Sequence, residues 1–81
     1  MKEYTMERKE IYLKKRYEFI EMFFDGKYCI TVYLVSGNPK IKGDIKREWI
    51  TETERDDYDD ALNVVFNVIY AIERRSLINP L

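Results

Sequence analysis

YEFIEMFFDGKYCITVYLV, residues 17–35, decides the fold, because two runs rich in aromatic and β-branched residues flank the dipeptide Asp25-Gly26. Asp-Gly tolerates a positive φ at both central positions of a type I′ turn, so the stretch predicts a β-hairpin with a two-residue loop. A loop of that length sets the register from the pair of Phe24 and Lys27 outward. One face of the hairpin is then apolar apart from Glu21, whereas the other face is mixed.

Three further segments complete the expected fold. Residues 45–53 predict a third strand, and residues 56–75 predict a helix with acidic residues in its first turn and arginines in its last. Residues 2–16 fit a short helix or irregular arm, or an extension of the first strand; we expect the former, since the extended strand would be unusually long. The result is one α+β domain, residues 1–81, of (α)βββα order, with a helix on a three-stranded antiparallel sheet. The helical stripe expected to cover the sheet is Tyr58, Ala61, Leu62, Val65, Ile69 and Ile72.

Two short motifs in this order resemble a known family. The turn Asp25-Gly26-Lys27-Tyr28 and the helix start Asp59-Asp60-Ala61-Leu62 are similar to those of the small α+β domain of HicB-type antitoxins. The resemblance spans residues 17–73. These 81 residues hold no DNA-binding tail like that of the family, and Val32-Tyr33-Leu34 stands where the family has a proline-containing strand. The resemblance therefore implies a shared architecture and carries no function over.

The composition argues against most catalytic and metal-binding chemistry. The chain has no His, one Cys and a net charge of −1. Cys29 has no histidine to act as its base, and a single cysteine excludes an internal disulfide. We therefore expect no enzymatic activity, no cofactor and no metal. The N-terminus has no apolar signal segment and no apolar run is long enough to span a bilayer, which predicts a cytoplasmic protein without a membrane partner.

The densest charge in the sequence is acidic and begins just before the helix. Helix capping with solvated charge is the simplest interpretation, and a surface for a basic partner is the functional alternative. A calcium loop of the EF-hand kind would need a glycine and a glutamate at fixed positions, and neither is offered. The candidate partner-binding residues of this acidic patch are Glu52, Glu54, Asp56, Asp57, Asp59 and Asp60.

Basic residues lie beside aromatic residues in two other segments. Lysine and arginine bind phosphates and aromatic rings stack on bases, so these segments favour single-stranded nucleic acid as an alternative partner. The (α)βββα order also resembles the double-stranded-RNA-binding domain. That family needs a basic start to its last helix, where this chain has residues 56–60, so the resemblance argues against its mode of binding. The candidate nucleic-acid contacts are Lys14, Lys15, Arg16, Lys46, Arg47 and Trp49.

The final helix is more apolar than a helix that covers one face of a sheet needs to be. Either residues 2–16 fold back over the surplus through Tyr4, Ile11 and Leu13, or another chain covers it. We predict the second, self-association into a homodimer. The residues expected to form this strip are Val64, Phe66, Val68, Tyr70 and Ala71.

Two expectations about function follow. The first is a small non-enzymatic protein-binding module or inhibitor that acts by occluding a partner's surface. An excess of residues with AT-rich codons suits a phage or mobile-element product, for instance one that blocks a host defence nuclease in the host cytoplasm. The alternative is a nucleic-acid-binding regulator, or a HicB-like antitoxin, that uses basic and aromatic strand surfaces.

Overall fold

A computed structural model describes residues 4–78 as an α+β fold of four strands and one helix. The strands form one antiparallel sheet in chain order, β1-β2-β3-β4. The sheet expected from the sequence had three strands, so that expectation was one strand short. The elements are β1 (Tyr4–Tyr12), β2 (Arg16–Phe24), β3 (Lys27–Ser36), β4 (Lys46–Arg55) and α1 (Tyr58–Ile78).

The central hairpin is confirmed with the expected register. Phe24 lies opposite Lys27, and the pairing continues to Arg16 opposite Val35, so β2 and β3 each extend one residue beyond the expected 17–35. Asp25 has a φ of 56° and Gly26 a φ of 78°. Both turn residues therefore adopt the left-handed conformation that a type I′ turn requires.

Replacing Gly26 with valine should lower the free energy of unfolding by about 1–3 kcal/mol, because a β-branched residue is strained at positive φ. A Cβ at this position would meet no atom within 4 Å, so the cost comes from the backbone alone. Thermal unfolding followed by circular dichroism measures the loss. Lys27→Val, the next position and part of a strand, is the control; equal melting temperatures for the two variants would contradict the assignment of the turn.

The N-terminal segment is a strand, so the expected short helix or irregular arm was wrong. Tyr4–Tyr12 pairs with β2 along its length, and a tight turn at residues 13–15 separates the two strands. Few apolar residues mark β1 in the sequence, because its charged side chains are matched by carboxylates on β2. The Nζ of Lys9 lies 3.1 Å from Glu21 and the Nε of Arg8 lies 3.7 Å from Glu18. The segment therefore lies at the sheet edge and does not cover the back of α1.

The core lies between α1 and the face of the sheet that the hairpin pattern identified as apolar. Its fully buried residues come from the two central strands and from the expected helical stripe. Asp57 caps the helix, since its carboxylate accepts a hydrogen bond of 3.1 Å from the backbone amide of Asp60, and α1 therefore begins at Tyr58 rather than at residue 56. No helix in residues 4–78 is long and apolar enough to cross a membrane. The core cluster comprises Tyr17, Phe19, Ile30, Val32, Ala61, Val65 and Ile69.

The last strand runs from Lys46 to Arg55 rather than over residues 45–53, and it contains a β-bulge. Thr51 lies opposite Val32 and Trp49 lies opposite Tyr33, so Ile50 is the extra residue. Ile50 packs against the core, whereas Trp49 keeps 54% of its surface exposed. The bulge thus places Ile50 and Thr51 on the same face of the sheet, the face that α1 covers.

Candidate functional site

The sheet face opposite α1, called the open face below, has no described helix or strand packed on it. Side chains alternate between the two faces of a strand, so the register assigns each residue to one face. The charges on the open face balance, whereas its aromatic and apolar content is high. Its members are Met6, Arg8, Glu10, Tyr12, Arg16, Glu18, Ile20, Met22, Phe24, Lys27, Cys29, Thr31, Tyr33, Val35, Arg47, Trp49, Glu52 and Glu54.

The structure brings the two basic and aromatic segments of the sequence together at one end of the open face. Arg16 and Arg47 flank Val35 from the two neighbouring strands, which places their backbones about 10 Å apart. Trp49 lies on the same face in the next row, opposite Tyr33. Lys14 and Lys15 form the adjacent β1–β2 turn, and Lys46 lies at the same end but alternates to the α1 side.

A buried carboxylate organises the arginines of this surface. Glu18 is only 3% exposed; its Oε1 accepts a hydrogen bond of 3.0 Å from the Nε of Arg47, and its Oε2 lies 3.7 Å from the Nε of Arg8. Both contacts use Nε, and a guanidinium has five N–H donors in total. Glu18 therefore holds two guanidinium groups in place while its own charge is screened from solvent.

Charge is polarised along the strands. The β1–β2 turn, the β3–β4 loop and the C-terminus of α1 meet at one end of the sheet, which we call the basic end. The β2–β3 turn and the N-terminus of α1 meet at the other, the acidic end. The basic end carries Lys14, Lys15, Arg16, Lys40, Lys42, Lys46, Arg47, Arg74 and Arg75 beside the carboxylates Glu10, Asp44, Glu48 and Glu73. The acidic end carries Asp25, Glu52, Glu54, Asp56, Asp57, Asp59 and Asp60 beside the cations Lys27 and Arg55.

Two carboxylates at the basic end have internal partners. The carboxylate of Glu73, on α1, accepts hydrogen bonds from the hydroxyl of Tyr17 at 2.7 Å and from the backbone amides of Lys14 at 2.9 Å and Lys15 at 3.2 Å. Asp44 accepts one of 2.6 Å from the amide of Asn38. Both carboxylates are therefore engaged in hydrogen bonds within the chain, and lysines and arginines remain at the surface.

The acidic patch is partly used within the chain. Asp57 caps α1, Asp56 lies 3.7 Å from the Nζ of Lys27, and Glu52 accepts a hydrogen bond of 3.2 Å from the indole of Trp49. These contacts agree with helix capping and local pairing. Among the described residues, no group of three or more carboxylates or cysteines is arranged to hold a metal ion.

A polar cluster that the sequence did not reveal lies at the N-terminus of α1, beside a groove of about 370 Å³. The hydroxyl of Tyr58 donates to Glu21 at 2.8 Å and accepts from Lys9 at 3.1 Å. Hydrogen bonds to Tyr58 and Glu21 raise the pKa of Lys9, and burial raises the pKa of Tyr58. Neither group titrates near neutral pH, so the cluster joins α1 to β1 and β2 rather than transferring protons.

Cys29 lies on the open face with its thiol 4.0 Å from the carboxylate of Glu54. Burial raises the pKa of this thiol, and the charges of Glu54 and Glu52 raise it further. The nucleophilic species is the thiolate, which this environment disfavours. The thiol is therefore poorly suited to nucleophilic chemistry.

The five residues expected to form an apolar strip on α1 lie on two flanks of the helix. Phe66 packs against Phe19 with ring centroids 5.4 Å apart, and Tyr70, 54% exposed, follows it at 5.7 Å. Val64 borders β4, and helical spacing places Val68 on the same flank, with Ala71 exposed beyond them. The strip is divided because Phe66 packs against the core.

No family model, no curated protein and no solved structure matches this chain, so the function rests on its own residues and geometry.

Proposed function

We propose that this chain binds single-stranded nucleic acid at the basic end of its open face. The observation that carries the proposal is the convergence of two segments far apart in sequence. Arg16 and Arg47 lie in one row of the sheet, Trp49 lies in the next, and Lys14 and Lys15 adjoin them. Nonspecific binding of single strands uses the same combination, cations along the phosphate backbone and aromatic rings under the bases.

The structure provides both the exposed aromatic rings and the oriented cations that such binding requires. Tyr12 is 66% exposed and Trp49 is 54% exposed, so each offers a ring on which a base can stack. Arg8 and Arg47 are oriented through Glu18 and keep guanidinium N–H donors for phosphate oxygens. Glu18 is a positioning residue here, since it would act through the two arginines.

A net charge of −1 does not oppose this function, because a phosphate responds to the local field. The acidic end of the same face would repel a phosphate chain. A bound strand would therefore be restricted to the basic end, and we expect a short footprint of a few nucleotides.

The protein-binding module or inhibitor expected from the sequence is the second candidate. It is favoured by apolar side chains toward the acidic end of the open face, where Met6 is 61% and Phe24 is 42% exposed and Met22 lies between them. Methionine, aromatic residues and arginine are enriched in protein interfaces. A partner protein, such as the host nuclease suggested above, would be occluded by this region.

One binding experiment separates the two candidates. Fluorescence anisotropy with labelled single-stranded DNA, single-stranded RNA and duplex DNA, titrated with salt, should show single-strand binding that weakens steeply as salt rises. Trp49→Ala should weaken binding about 5- to 150-fold, the range for one stacked base. Each of Lys14→Ala and Lys15→Ala should lower the salt slope by about one.

Matched controls lie at the other end of the same face. Phe24→Ala removes a ring and Lys27→Ala removes a cation, yet both should leave the affinity unchanged. Absence of binding at low salt, or equal weakening by the Phe24 and Trp49 variants, would overturn the proposal. If tagged protein then captures a host protein, and Phe24→Ala abolishes capture while Trp49→Ala does not, the second candidate holds.

A further inference from the structure

β4 forms an edge of the sheet, and its outer side pairs with no other strand among residues 4–78. A groove of about 630 Å³ lies at the C-terminal end of β4, where residues 52–55 and Val64 of α1 border it. The hydroxyl oxygen of Thr53 in the same groove is buried without a hydrogen-bond partner among the described residues. An exposed strand of ten residues is a template for pairing with another chain.

We propose that the β4 edge binds a second copy of this chain, with the two β4 strands antiparallel and the sheet extended to eight strands. The occupant is argued from two independent features of β4, its bulge and its charges. This inference goes beyond the proposed nucleic-acid function and does not depend on it.

The bulge makes the two sides of β4 symmetric about its centre. Ile50 and Thr51 both lie on the α1 side, because Ile50 packs on the core and Thr51 faces Val32. Residues at equal distances before Ile50 and after Thr51 lie on the same face of the sheet. Glu48 and Thr53 lie on the α1 side; Arg47, Trp49, Glu52 and Glu54 lie on the open face.

Only one antiparallel register pairs like sides over all ten residues of β4, the one in which Ile50 lies opposite Thr51 of the second copy. A shift by one residue would place open-face side chains opposite α1-side ones, which a continuous sheet does not allow. The bulge therefore selects one register for self-pairing over the full length of β4.

In that same register the charged residues of β4 form an attractive pair inside the strand and a repulsive pair at its ends. Arg47 lies opposite Glu54 of the second copy, and the twofold axis repeats this pair. Oppositely charged residues directly across two strands stabilise their pairing. Lys46 lies opposite Arg55 of the second copy, so the ends of the pairing repel each other. Both of these residues are exposed.

The other edge of the sheet is less suited to a partner. Four consecutive charged residues, Glu7 to Glu10, occupy the centre of β1. The backbone of α1 packs against β3 and β4, and a side-chain hydrogen bond from Lys9 to Tyr58 joins α1 to β1. Central charges on an edge strand are a common protection against pairing. Beside β4, by contrast, the flank of α1 with Val64 adds apolar surface. The twofold axis also keeps both open faces on one side of the assembly.

Sedimentation velocity over a range of concentrations tests the inference with two neighbouring charge reversals. Glu54→Arg puts two arginines opposite each other and should weaken the dimer about tenfold. Arg55→Glu replaces the Lys46–Arg55 repulsion with attraction and should strengthen it several-fold. Because the two reversals act in opposite directions, a general effect of charge cannot produce both results.

Two further variants complete the design, and circular dichroism confirms that each is folded. Val64→Lys should weaken the dimer, whereas Glu7→Arg on β1 should leave it unchanged. A wild type that remains monomeric at about 1 mM would overturn the proposal. So would a dimer that Glu7→Arg weakens, or one that Glu54→Arg and Arg55→Glu shift in the same direction.

Discussion

Replacing Glu73 with glutamine should lower the free energy of unfolding by about 2–4 kcal/mol, because three donors lose a charged acceptor. Those donors are the hydroxyl of Tyr17, which is fully buried, and the backbone amides of Lys14 and Lys15. A glutamine offers one neutral oxygen and adds an amino group that meets the same donors. Urea denaturation measures the loss, and Arg74→Gln, one position further along α1 and exposed, should change stability by less than about 0.5 kcal/mol.

The effect of Glu73→Gln should depend on pH with a definite sign. Burial raises the pKa of Glu73, but the hydrogen bonds from Tyr17 and the two backbone amides outweigh it, so the pKa lies below its ordinary value. A carboxylate with a lowered pKa contributes stability above its unfolded-state pKa of about 4.3, and this contribution is lost as the pH falls through the folded-state value. The difference between wild type and variant should therefore be full at neutral pH and shrink on acidification. A difference that stays constant down to about pH 3 would contradict the assignment.

Replacing Gly37 with alanine should destabilise the protein by about 2–5 kcal/mol through two effects that add. The φ of Gly37 is +102°, where a side chain is strained. A Cβ at this position would also lie 2.1 Å from the backbone oxygen of Asp44, far inside contact distance. Asp44 holds the loop by accepting a hydrogen bond from the amide of Asn38, so we expect the whole β3–β4 loop to open.

Gly43, in the same loop, supplies the matched control. Its φ is +81°, yet a Cβ there would meet nothing within 4 Å, so Gly43→Ala carries only the backbone strain. The two melting temperatures, compared by circular dichroism, separate the steric effect from the conformational one. Equal destabilisation would show that residues 37 and 44 do not approach each other closely. If the nucleic-acid proposal holds, opening the loop should also weaken binding, since Lys40 and Lys42 lie within it.

The hairpin and the helix could be predicted because their signals are local. Asp25-Gly26 determines its own turn, and a two-residue loop then sets every pair from Phe24 outward. The α1 stripe repeats at helical spacing, and its start is marked by the residues that cap it. These signals depend only on residues that are close in sequence, so they can be recognised without knowledge of the rest of the chain.

β1 could not be predicted in the same way. Its residues show little alternation of apolar and polar side chains, because the partners of Arg8 and Lys9 are carboxylates on β2. The one signal in the sequence was the presence of Glu18 and Glu21 inside an otherwise apolar strand. Carboxylates in such a position need cations from a neighbouring strand, and that strand is β1.

Taken alone, the sequence determined the α+β class, the hairpin register and the apolar face that α1 covers. It also determined that basic and aromatic residues occur together in two segments. Only the tertiary structure decided that these segments share one end of the open face, that Glu73 binds the turn beside them, and that Phe66 packs against the core. The physical reason is distance along the chain. Turns and helices follow from interactions over a few residues, whereas a surface built from β2 and β4 depends on strand order and on the bulge at Ile50, which no local pattern specifies.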